Sequence, residues 1–271
     1  MIVIRATFAA LFGLCGGMAA AQQPAADNAG NRMIPFAAIA PISEEVQQTR
    51  SAVHCDAERS VCLQAWRGDG AGWTLDIHDG LPNRSNAAVP RRIALPGGED
   101  PERETHGIWP HLVREASGAL LIGIDRLRSA GFSGGGASAT HTLLFRLTSP
   151  GAEPVEVLNV QTSYGAMIRA CFSEDEYRNR GVCHDEYEMT GTLALAPEAT
   201  GRPRLTFTVT ARSYPRGART DESETRRYRR ADLVWEPDPA CSYRRMFAID
   251  AATGRYVPDA PLPECSIYAL P

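Results

Sequence analysis

A chain of 271 residues is long enough to bury a sizeable core, and a formal net charge of −4 is too mild to imply nucleic acid or an anionic surface as partner. All 28 basic residues are Arg, interspersed with 32 acids, which reads as coding bias rather than as phosphate recognition. After the first 20 or so residues no apolar run reaches the roughly 18 that a membrane span needs, so nothing further is expected to be transmembrane.

Residues 1–21 place Arg5 before an apolar run at 6–14 and end in Ala19, Ala20 and Ala21, the order of a secretory signal peptide with cleavage after Ala21. Leu14 stands before Cys15 where a lipobox has a small residue, so soluble export, periplasmic or secreted, is expected rather than a lipid anchor. Residues 22–32, rich in Ala, Gln, Asn and Pro, predict a disordered leader. That leaves 33–271 as a single all-β domain. Ser43, followed by Glu44 and Glu45, predicts a short helix ending near Arg50.

Six cysteines remain after cleavage, and an even number in an oxidising compartment reads as disulfides before metal. Six allow 15 pairings. Their spacing in three separated couples predicts the local bonds Cys55 with Cys62, Cys171 with Cys183, and Cys241 with Cys265.

Strand-like segments come in three sets of four: 52–55, 61–66, 73–77 and 92–95; then 111–114, 119–124, 142–147 and 155–160; then 167–172, 188–195, 205–212 and 233–235. The pattern is clearest where Leu205, Phe207, Val209 and Ala211 alternate with Thr206, Thr208, Thr210 and Arg212, with 192–195 as its hairpin partner. Sets of four over this length are the scale of a propeller blade, so the fold expected is all-β, a small propeller-like arrangement of four-stranded antiparallel sheets, with a β-sandwich as the alternative. Thr253 and Gly254 predict a further hairpin turn.

Gly131, Phe132, Ser133, Gly134 and Gly135 match G-x-S-x-G, in which a strand-to-helix turn projects a nucleophilic serine. The residues that follow carry a β pattern with no helix to build an oxyanion hole. Ser133, with His141 or the neighbouring His106 or His111 as base, is nevertheless a catalytic candidate, beside paired carboxylates from the acidic loops. The acids Glu174, Asp175, Glu176, Asp185, Glu186 and Glu188 lack the spacing of a calcium loop, and Arg178 and Arg180 are placed to pair with them. His54 with Cys55 and Cys183 with His184 offer zinc donors only if the thiols are reduced, so no metal and no cofactor is expected. Trp73 alternates with Leu75 and Ile77 and is expected to point inward; Trp66, Trp109 and Trp235 read as packing before sugar stacking.

Arg226, Arg227, Tyr228, Arg229 and Arg230 form the densest positive patch and the candidate binding segment, partly neutralised by Asp221, Glu222 and Glu224. The function expected is that of a non-catalytic exported envelope protein that binds a protein or a glycan through surface loops. The alternatives are a periplasmic or secreted serine hydrolase using Ser133, and a structural interaction module without a small ligand. A concave pocket where polar side chains from several strands converge, at least one of them with a perturbed titration, would mark an enzyme; an exposed apolar or aromatic patch of several hundred Å² would mark a binding module, and a structural protein would show neither.

Overall fold

Alternating apolar and polar residues build almost every element of the computed structural model, which describes residues 25–40, 42–68, 72–82, 89–97, 103–149, 152–169, 171, 173–218 and 227–270. The signal peptide expected at 1–21 lies outside the described residues. The strands, in chain order, are β1 (Ala25–Ala26), β2 (Arg32–Pro35), β3 (Ala37–Ala38), β4 (His54–Cys55), β5 (Val61–Arg67), β6 (Trp73–Asp79), β7 (Arg91–Ala94), β8 (Glu104–Ile108), β9 (His111–Arg114), β10 (Leu120–Phe132), β11 (Gly135–Leu147), β12 (Val155–Arg169), β13 (His184–Leu195), β14 (Leu205–Tyr214), β15 (Glu236–Pro237), β16 (Tyr243–Ile249) and β17 (Tyr256–Pro258). Two short helices interrupt them, α1 (Glu44–Gln47) and α2 (Glu174–Arg180).

The strands form two antiparallel sheets. The smaller runs β3-β4-β5-β6-β7, and its last four strands are the first of the expected sets. The larger runs β1-β2-β9-β10-β11-β12-β13-β14-β16-β17, with β8 beside β10 and β15 beside β14. This departs from the propeller-like arrangement. The expected segment 155–160 and the first residues of 167–172 are joined in β12, a single strand of 15 residues, so the second and third sets merge into one sheet rather than two blades. The polar stretch Gln161, Thr162, Ser163 reads as a turn in sequence but is strand, because one of its faces is open to solvent and a bulge at Thr162 absorbs the change of alternation.

Two cores result. The small sheet packs Leu63, Trp73, Leu75 and Ile77 against Ile122, Ile124, Leu143 and Phe145 of the large one. Trp73 is buried, as its alternation requires. The other core lies on the large sheet under the C-terminal segment, where Tyr164, Tyr187, Phe207 and Val209 meet Tyr268 and the Cys241–Cys265 bond. Burial of aromatic and aliphatic side chains of this size contributes about 1.5–3 kcal/mol each.

All three disulfides join the expected partners, with Cα–Cα distances of 4.2, 4.9 and 5.8 Å. Cys55 and Cys62 are direct cross-strand neighbours. The pair Cys171–Cys183 brackets α2, which replaces the polar loop expected there. Ser173 and Glu176 close a capping box at its start, and Gly181 ends it at φ +84°. A Cβ on Gly181 would also stand 2.8 Å from the Tyr228 carbonyl oxygen. Residues 25–32, assigned above to the leader, carry more order than their composition indicates: β1 pairs with β2, and Asn31 donates to Asp27 at 2.7 Å and to the Gly201 carbonyl at 2.8 Å. Among the described residues no helix is long and apolar enough to cross a membrane.

Candidate binding face

Residues Ser133 and Gly134 are the two-residue turn between β10 and β11, with Gly134 at φ +107°. Ser133 is exposed at the hairpin tip, and β11, not a helix, follows it. His141 lies six residues beyond Gly135 along β11, roughly 20 Å at strand rise, and its Nδ1 is 3.1 Å from Asn159 Oδ1. The fold therefore does not bring the two catalytic candidates together.

The arginine-rich segment is coil entering a short 3-10 turn at Arg230–Asp232. Arg227, Arg229 and Arg230 are exposed, whereas Tyr228 is buried with the Arg180 guanidinium 5.0 Å from its ring centre. Arg226 and the acids Asp221, Glu222 and Glu224 lie outside the described residues. Arg180 in turn donates to both carboxylate oxygens of Asp185 at 2.7 and 2.8 Å, inside the core. Arg178 stands 3.3 Å from Glu174 and 3.8 Å from Asp175. Arg178 and Arg180 thus pair with Glu174, Asp175 and Asp185, while Glu176 closes the cap of α2, Glu186 lies beside His184 and Glu188 pairs with Arg212. Cys55 and Cys183 are oxidised and offer no thiolate to a metal.

The concave region lies elsewhere, on strands rather than loops. A groove of about 330 Å³ is lined by Trp109, His111, Asp125, Thr142, Thr162 and Thr192, from the β8–β9 turn and strands β9 to β13. Gly123 makes its wall possible, since a Cβ there would fall 2.8 Å from Trp109 Cβ and 2.7 Å from Leu144 Cδ2. Thr142 Oγ1 donates to Asp125 Oδ1 at 2.5 Å, and Thr142 and Thr162 hydroxyls lie 3.0 Å apart. A second groove of about 560 Å³, between the small sheet and β8, is lined among others by Arg50, His54, Thr105 and His106. Asp125 and Thr140 line both grooves.

Burial sets the charge state of this region. It pushes the Asp125 carboxyl up, against the opposing Thr142 hydrogen bond. It pushes the His111 imidazole down. His106, packed 4.9 Å from the Trp73 ring and 3.4 Å from Glu104 Oε1, is pushed down to about 3 by burial and by the Arg126 cation. The larger groove carries the Arg50 guanidinium, whereas the smaller one presents hydroxyls, an imidazole whose pKa burial lowers and a carboxyl whose pKa burial raises. Such groups donate and accept hydrogen bonds without demanding an ion.

Asp125 and its threonines were missed in the sequence because no motif carries them. The signal was there in a plainer form: one carboxyl ends the apolar run Leu120 to Ile124, where a core strand has no use for a charge. No protein-family model matches the chain, and comparison with curated proteins and with solved structures gives no match.

Proposed function

We propose that this is an exported, non-catalytic envelope protein that holds a neutral glycan in the groove around Asp125. The observation that carries the reading is the Asp125–Thr142–Thr162 hydrogen-bonded chain, which ends at a hydroxyl lining an open groove. Sugar hydroxyls both donate and accept, and so do threonine hydroxyls; exposed Pro110, beside buried Trp109, adds apolar surface to the groove wall. Three disulfides fit an oxidising, periplasmic or secreted location. A serine hydrolase at Ser133 gains no support from a serine roughly 20 Å along the strand from its base.

The test is a glycan array followed by calorimetric titration of the best binder. Binding of neutral oligosaccharides, lost at least tenfold in Thr162→Val/Thr192→Val, is the expected result. Binding confined to anionic glycans, or retained at full strength in that variant, contradicts the reading.

A further inference from the structure

The groove meets the middle of a longer row of hydroxyls, at Thr140 and Ser163. Thr105, Leu127, Thr140, Ser163, Thr190 and Thr210 are successive cross-strand partners on β8, β10, β11, β12, β13 and β14. Directly opposed residues project from the same face of a sheet. One residue further along, the row Ala139, Tyr164, Met189 and Ala211 is core, so the hydroxyl row faces the other way. Thr190 and Thr210 are exposed, and Thr105, Thr140 and Ser163 are half-buried. At about 4.8 Å between neighbouring strands, the row runs roughly 24 Å.

Along the strands the hydroxyls give out sooner. Thr206, Thr208 and Thr210 on β14 lead to Arg212, and Thr142, Thr140 and Ser138 on β11 lead to Gly136. Beside the row, Ser129, Ser138 and Gly165 make a low floor, closed by Glu188 and Arg212, which pair with each other. Leu127, 41% exposed, is the one apolar member and offers a contact for sugar C–H groups.

We infer that the ligand is a linear neutral polysaccharide laid across the strands along this row, bound by internal units rather than by a chain end. This rests on the glycan reading above and adds the length and direction of the ligand. A face that crosses six strands with hydroxyls at five of the six positions reads a chain rather than a terminal sugar.

The experiment is calorimetric titration of the full chain with linear neutral β-linked oligosaccharides of glucose and of N-acetylglucosamine, from two to eight units. Affinity is expected to rise with each added unit and to level off once the oligomer spans the row. Thr190→Val/Thr210→Val, at exposed strand positions where valine is well tolerated, is expected to weaken the longer oligomers at least fivefold and leave the disaccharide unchanged, with an unaltered unfolding midpoint. Equal affinity for two and eight units, or an equal loss for short and long oligomers in the variant, overturns the inference and leaves the glycan reading standing. Failure of every oligomer to bind overturns both.

Discussion

Thr142 donates its hydroxyl proton to Asp125 at 2.5 Å, from the neighbouring strand and at the direct cross-strand position. This contact joins the buried sheet to the open groove, and its consequences are measurable. Burial raises the Asp125 pKa, so the folded state holds the proton more tightly than the unfolded chain. The stability this gives is complete below the ordinary carboxylate range and is lost as pH rises through the folded value. Asp125→Asn keeps the shape and removes the titration. It is expected to raise the unfolding midpoint relative to wild type at pH 7.5 and to give little change at pH 3.5, as read by thermal scans at both.

His106 has the opposite sign. Above 6.5 both folded and unfolded imidazoles are neutral; below it the unfolded chain takes up a proton that the folded ring refuses until about 3. Stability is therefore full above 6.5 and falls with acidification, by about 1.4 kcal/mol per pH unit from this group. His106→Phe, which preserves an aromatic contact with Trp73, is expected to flatten that part of the pH profile in urea titrations between pH 6.5 and 4.5.

Arg180 and Asp185 are both buried and doubly hydrogen-bonded. Arg180→Met alone leaves a buried carboxylate and is expected to cost about 3–5 kcal/mol. Arg180→Met/Asp185→Leu removes both charges and is expected to cost clearly less. A double-mutant cycle by chemical denaturation measures the coupling.

The Cys241–Cys265 bond closes a loop with a sequence separation of 24 and anchors the segment that covers Tyr187 and Phe207. Its replacement by two serines is expected to cost about 3 kcal/mol. The check is the denaturation midpoint of the variant under non-reducing conditions. Ser133→Ala, by contrast, is expected to change neither stability nor binding, and a fluorophosphonate probe is expected to leave Ser133 unlabelled.

The all-β class and the three disulfides were legible because alternation and cysteine spacing are local signals. The hydroxyl face was half legible: Thr206, Thr208 and Thr210 stood out on β14, but their partners Ser163 and Thr190 took on meaning only through register. Helix α2 was there to be read in Ser173, Glu176 and Gly181, a capping box and a glycine stop, beneath a run of charges that drew attention to metal instead. The merging of two expected blades through β12 was not legible, since a solvent-facing bulge at Thr162 has the composition of a turn. Asp125 acquires its role from neighbours distant in sequence, Thr142 on the next strand and His111 on β9.

The most direct test of the central claim is a map of backbone amide chemical-shift changes on titration with the tightest-binding neutral oligosaccharide. The account predicts changes centred on Asp125, Thr142, Thr162 and Thr192 and extending along Thr190 and Thr210. Changes confined to Arg227–Arg230, or the absence of any saturable change, would contradict it.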